Sequence, residues 1–131
     1  MRTDRIGGEG MSVVTPAQIE ARLKDLSKLI DEAHDHLVEA EHIYHTRRAE
    51  YEIAMAKIRL ELSSKSSPTG KNYTVGERED MALIQNRHIH EVVAEAEAMV
   101  KANRANVARL RVQVDIARSI GTSVRTGFDA S

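Results

Sequence analysis

Apolar residues recur along the first half of the chain in alternating steps of four and three positions. This is the spacing of a helix face that packs against a neighbouring helix. Thr15 and Gln18 form a capping box, and Pro16 stands at the first helical position, where a missing N–H costs nothing. The pattern predicts a helix over about residues 16–62. Its predicted buried seam contains Ile19, Leu23, Leu26, Ile30, Ala33, Leu37, Ala40, Tyr44, Tyr51, Ala54 and Ile58.

A polar segment at residues 63–73 separates this helix from the next apolar pattern. It contains several serines together with Pro68, Gly70 and Asn72, which are all turn formers. A short turn between two long helices makes them antiparallel neighbours, and folding about residue 69 pairs positions whose numbers sum to roughly 138. The sequence therefore predicts an all-α fold, a long antiparallel helical hairpin that resembles a coiled coil.

The second helix is predicted over about residues 75–120. Thr74 and Glu77 form the capping box at its start, and Gly121 is expected to end it. Residues 1–14 are expected to form a flexible N-terminal tail, and residues 122–131 a C-terminal tail. The predicted seam of the second helix contains Ile89, Val93, Ala96, Val100, Asn103, Val107, Leu110, Val114 and Ala117.

The composition argues against a rounded core and for association between copies. Aromatic residues make up 3% of the chain and charged residues 30%, a balance typical of long helices and coiled coils. A second apolar stripe widens the face of the first helix beyond what one partner helix can cover. The expected assembly is therefore a homo-oligomer. The second stripe includes Leu29, Val38, Ile43, Ile53 and Leu60.

The distribution of charge predicts the register of the two helices. The net charge is −1, so any attraction to an anionic partner must come from a local patch. The first helix carries an acidic block (Asp31, Glu32, Asp35, Glu39 and Glu41), which we expect to lie opposite Lys101, Arg104, Arg109 and Arg111. Further along the hairpin, Arg47 and Arg48 are expected to face Glu91, Glu95 and Glu97. Much of the basic stretch from Lys101 to Arg125 is thereby expected to be neutralised.

The region around the turn has a different charge balance. Its basic residues outnumber Glu61 and Glu77, and no acidic block is expected to face them. Uncompensated Lys and Arg side chains are the groups that bind phosphate backbones. The turn end of the hairpin is therefore the candidate nucleic-acid-binding site, formed by Lys57, Arg59, Lys65, Lys71 and Arg78.

The sequence offers little catalytic chemistry. The chain has no cysteine, and its six histidines include a single Glu-x-x-His pair, Glu39 with His42. The segment from Pro68 to Lys71 lacks the spacing of a phosphate-binding loop. We expect no enzymatic activity, no cofactor and no metal site. No apolar run approaches the length that spans a bilayer, so no membrane association and a cytoplasmic location are expected.

The segment Ala56-Lys57-Ile58-Arg59-Leu60-Glu61 ends the first helix, a polar turn with a glycine follows, and the second helix leads to an Arg-x-Gly-Phe end at residues 125–128. In this arrangement, from about Tyr44 to Phe128, the chain resembles the UvsY-type recombination mediator proteins of phages. The resemblance implies a helical oligomer that binds single-stranded DNA and helps a RecA-like recombinase load onto DNA coated by a single-strand-binding protein. It also implies a place in the host-cell cytoplasm, and a DNA-binding role for Lys57 and Arg59.

Two classes of function stay open at this point. In the first, an oligomer of hairpins concentrates weakly basic turn ends on one DNA strand, and multivalency supplies the affinity that one copy lacks. In the second, the protein is a structural or adaptor coiled coil of phage assembly or scaffold type, without a nucleic-acid role. In the first class base stacking contributes little, because only Tyr44, Tyr51, Tyr73 and Phe128 could stack.

Overall fold

The fold was determined as a computed structural model, which describes residues 14–65 and 67–130. All of its elements are helices: α1 (Pro16–Ser63), α2 (Val75–Gln85) and α3 (Arg87–Ala130). The all-helical prediction is confirmed. The predicted N-terminal tail lies outside the described residues, apart from Val14.

The capping box at the start of α1 is confirmed. The backbone N–H of Gln18 donates to the Thr15 hydroxyl at 3.2 Å, and the N–H of Thr15 donates to Oε1 of Gln18 at 2.9 Å. These bonds satisfy two donors that have no partner within the helix. The helix then continues through Ser63 without a break.

The connection between α1 and α2 is closed by hydrogen bonds of its own. Gly70 donates to the carbonyl of Ser67 at 2.9 Å, and Ser67 donates to the carbonyl of Lys71 at 2.7 Å. Gly70 has φ +83°, in the left-handed region where a side chain would add strain. Thr74 and Glu77 form the predicted capping box of α2, and these hydrogen bonds lower the pKa of Glu77 below its usual value.

The chain divides into two compact units. We call residues 36–104 the turn unit, and residues 14–35 with residues 105–130 the terminal unit. In the turn unit, α1 runs antiparallel to α2 and α3. Tyr51 contacts His90, and Arg59 contacts Glu79 closer to the turn. The buried residues of this unit are Ala40, Met55, Leu62, Ala82, Asn86, Ala96 and Val100.

In the terminal unit, the first turns of α1 pack antiparallel against the end of α3. Arg22 donates to Gln113 at 3.3 Å, and Ile19 contacts Gly121. Apolar burial here follows the two predicted seams, with Leu26 the most enclosed residue at 0% exposure. The other buried apolar residues are Ile19, Ala33, Val107, Leu110 and Ala117.

The predicted end of the second helix at Gly121 is wrong. Helix α3 continues to Ala130, so residues 122–130 of the predicted C-terminal tail are helical. Gly121 is buried in the seam, where an added Cβ would lie 2.9 Å from Cγ2 of Ile19. The glycine therefore allows α1 and α3 to approach each other closely and does not terminate the helix.

The prediction of one continuous second helix is also wrong, by one residue. Asn86 separates α2 from α3, with φ −102° and ψ 21°, outside the helical range. Its side chain is buried, and Nδ2 lies 3.6 Å from the sulfur of Met55. A thioether is a weak acceptor, so the buried amide is poorly satisfied at the point where the helix is interrupted.

Each unit exposes large apolar side chains outside its seam. Ile53 is 58% exposed and Leu60 71% exposed, so the predicted second stripe of α1 is uncovered within one copy of the chain. On the turn unit the exposed set includes Val38, Ile43, Ile53, Leu60 and Met99. On the terminal unit it includes Leu29, Val112, Ile116 and Ile120.

Candidate nucleic-acid interface

The five candidate basic residues all belong to the turn unit, near its turn. Lys57 and Arg59 lie on the last turns of α1, and both are exposed. Lys65 and Lys71 lie in the connection between α1 and α2, and Arg78 lies on the first turn of α2. We call residues 57–80 the turn end.

Two of the five side chains share a surface groove among the described residues. Arg59 and Arg78 line it together with Leu60, Ser63, Val75 and Glu79. Lys57 does not line the groove, because a step of two residues rotates a helical side chain by about 200°. The side chains of Lys57 and Arg59 therefore lie on different sides of α1.

Arg59 is neutralised by Glu79, an acidic residue that the predicted charge pattern did not include. Its Nε lies 2.7 Å from Oε1 of Glu79, and its Nη2 donates to Oε2 at 3.0 Å. The predicted charge balance counted only Glu61 and Glu77, so the excess of basic residues at the turn end is smaller than expected. A count of acids on the first turns of α2 would have found the partner, because Glu79 and Asp80 follow Glu77.

The other four basic residues have no ion pair in the described part of the chain. Lys57, Lys65 and Lys71 are exposed, and Arg78 is half-buried along the groove. The ammonium and guanidinium groups are consequently available to an anionic partner. Because they are solvated and separate, each contact would contribute modestly, and the affinity would depend on the number of contacts.

The acidic block of α1 neutralises less of α3 than the charge pattern predicts. Arg104 pairs with Glu41 at 3.2 Å, as expected. Nη2 of Arg111, however, lies 3.2 Å from Nε2 of His34, and Arg111 forms no ion pair among the described residues. Lys101 and Arg109 contact Glu97 and Asn106 on their own helix, at 3.2 and 2.7 Å.

Arg47 and Arg48 form no ion pair with an acid of the second helix among the described residues. Arg47 contacts Glu50 at 2.9 Å and Arg48 contacts Glu52 at 3.3 Å, both along α1. Arg48 also donates to the hydroxyl of Tyr44 at 3.1 Å. Carboxylates three or four positions along a helix are within easy reach of an arginine, so they compete well against acids on the neighbouring helix.

Within the basic stretch from Lys101 to Arg125, four arginines form a row with a regular spacing along the sequence. Arg104, Arg111, Arg118 and Arg125 are spaced by seven residues, and all are exposed. Arg118 lines a groove of the terminal unit with Asp31, and among the described side chains neither Arg118 nor Arg125 forms an ion pair. The seven-residue spacing is the signal that would have identified the row.

The tyrosines of α1 pack within the turn unit. Tyr44 and Tyr51 are half-buried in the seam, and Tyr51 makes an edge contact with His90 at 5.6 Å between ring centres. Tyr73 is half-buried near the turn. Over residues 14–65 and 67–127, no three His, Asp or Glu side chains come together as a possible metal site.

Comparison of the chain with models of protein families, with curated proteins and with solved structures found no match. Among the helices described, none combines the length and apolar character needed to cross a membrane.

Proposed function

We propose that this protein binds single-stranded DNA through its turn end and acts as a recombination mediator that helps a RecA-like recombinase load. One observation carries the proposal: four basic side chains at the turn end have no ion pair in the described part of the chain. The segment that resembles the mediator family, from Ala56 to Glu61, lies on this same end.

Affinity in this proposal comes from several copies acting together. One turn end offers a few solvated cations beside nearby acids, so a single copy binds weakly. A homo-oligomer holds several turn ends on one strand, and linked sites raise the overall affinity without new contacts. The exposed apolar side chains of both units supply the surface for such an assembly.

The site is tested by changing Lys57 and Arg59 together to alanine and measuring the fluorescence anisotropy of a labelled single-stranded oligonucleotide. Losing two phosphate contacts should weaken binding roughly tenfold at low salt and reduce the salt slope by about 1.4, at 0.7 for each contact. Circular dichroism should show unchanged helicity, since both side chains are exposed.

The matched control changes Arg109 and Arg111 to alanine, which removes the same charge from the terminal unit. We expect this variant to alter stability or assembly more than DNA binding. If the Lys57/Arg59 variant binds as tightly as the parent, or if both variants lose the same affinity, Lys57 and Arg59 do not make the proposed phosphate contacts.

A structural or adaptor role is the second candidate, and a specific observation favours it. Ile43 and Met99 are 42% and 58% exposed, and they line a groove of the turn unit with Ala40 and Ala96. An apolar groove of this kind is typical of a surface that binds another helix. This role replaces the first if the parent protein binds no single-stranded DNA even at low salt.

A further inference from the structure

The ion pair between Arg59 and Glu79 has the geometry of a bound anion. Two nitrogens of the guanidinium face the two carboxylate oxygens, at 2.7 and 3.0 Å. A guanidinium forms the same two-pronged contact with the oxygens of a phosphate group. Glu79 therefore occupies the position on Arg59 that a backbone phosphate would take.

This ion pair can exchange with solvent and with other anions. The side chains of Arg59 and Glu79 are 44% and 46% exposed. Ion pairs this open to water contribute little to stability, because water and salt compete with both partners. A phosphate can therefore replace the carboxylate without exposing any buried part of the protein and without a change of the fold.

The surroundings of Arg59 favour a phosphate that arrives in place of Glu79. Arg78 lines the same groove and has no ion pair in the described part of the chain. The hydroxyl of Ser63, which also lines the groove, donates to the carbonyl of Leu60 at 2.7 Å. A phosphate held by Arg59 would thus lie in a groove that offers a second cation.

We propose that Glu79 is an internal competitor of the DNA backbone: it occupies Arg59 in the free protein and is displaced when a phosphate binds. This inference rests on the proposed function, and it assigns Glu79 a role in setting the affinity of the protein for DNA. It implies that binding is weakened by the protein's own carboxylate, so removing the negative charge of Glu79 strengthens binding.

The test compares Glu79→Gln with Asp80→Asn. Both variants remove one negative charge from neighbouring exposed positions, but Asp80 has no ion pair in the described part of the chain. Anisotropy is measured with a labelled single-stranded oligonucleotide at low salt. Glu79→Gln should tighten binding about three- to fivefold, as expected for release of an exposed ion pair. Asp80→Asn should change the affinity less than twofold, since a screened charge away from the contact acts weakly.

A second probe, polyphosphate, separates this inference from the proposed function. If the parent binds polyphosphate but no DNA, the proposed function fails, and Glu79→Gln must still bind polyphosphate more tightly than Asp80→Asn. If the two variants bind either probe equally, Glu79 is not a competitor and the inference is overturned. Absence of binding to both probes overturns the inference and the proposed function together.

Discussion

At the scale of single residues, Gly121 shows how a residue's role depends on what it faces. Glycine is a poor helix former and often ends helices, so the pattern alone predicts a terminus there. In the structure Gly121 faces Ile19 at a distance that leaves no room for a side chain. Helix propensity alone could not reveal this close approach, because the approach depends on Ile19, which lies about a hundred positions away in the sequence.

Changing Gly121 to Ala should destabilise the protein. Alanine favours the helix by about 1 kcal/mol, but its Cβ would lie 2.9 Å from Cγ2 of Ile19. Overpacking against a stiff β-branched residue costs about 1–3 kcal/mol. We therefore expect the thermal melting temperature to fall by a few degrees.

The control for this substitution is Gly127→Ala, where an added Cβ would have no atom within 4 Å beyond its chain neighbours and the helix's own backbone. Its melting temperature should stay unchanged or rise, because only the helix propensity changes. If Gly121→Ala stabilises the protein as much as Gly127→Ala does, the two helices are not in close contact at Ile19.

At the scale of elements, the seams could be predicted well and the ion pairs poorly. Every predicted seam residue from Ile19 to Ala117 is buried or half-buried, because burying a continuous apolar stripe involves large and additive free energies. Exposed ion pairs differ from their alternatives by less than about 1 kcal/mol. Arg48 accordingly pairs with Glu52 on its own helix, which the sequence pattern did not distinguish from an acid across the hairpin.

The interruption at Asn86 could not be predicted from the periodic pattern either. Asparagine is only a moderately poor helix former, and the apolar repeat continues on both sides of it. What distinguishes Asn86 is its burial against the sulfur of Met55, which is visible only once the helices are packed. A buried polar side chain of this kind can fix the register of neighbouring helices at a cost in stability.

Among the described residues, Glu41 and Arg104 form the ion pair that confirms the predicted charge blocks. This pair joins two helices of the turn unit, so it can be used to test their register. Glu41→Arg should lower the melting temperature by placing two arginines side by side, and high salt should recover part of the loss. Adding Arg104→Glu should restore the melting temperature by re-forming the pair with its charges exchanged. Thermal melting followed by circular dichroism measures both effects.

A matched control is Glu39→Arg, since Glu39 is exposed on the same helix and has no ion pair within the described residues. It makes the same change of charge without meeting Arg104. If Arg104→Glu restores the Glu39 variant as fully as the Glu41 variant, the rescue reflects net charge and not the contact between the two helices.

At the scale of the whole molecule, the exposed apolar residues predict self-association. Val38 and Met99 of the turn unit are 65% and 58% exposed, and Val112 and Ile116 of the terminal unit are 56% and 53% exposed. Burying such side chains contributes about 25 cal/mol for each Å² of apolar area. We expect light scattering to give a mass several times that of one chain, and a stable monomer at micromolar concentration would contradict this.

The salt dependence of binding by the parent protein shows whether the turn end contacts a DNA backbone. The affinity for a labelled oligothymidine is measured by anisotropy from low to physiological salt, with a duplex of the same length as the comparison. Backbone contacts release counterions, so the account predicts a steep linear fall of the logarithm of the affinity with the logarithm of the salt concentration, and tighter binding to the single strand. An affinity that is undetectable at low salt, or that does not change with salt, would contradict the proposal that the turn end binds DNA.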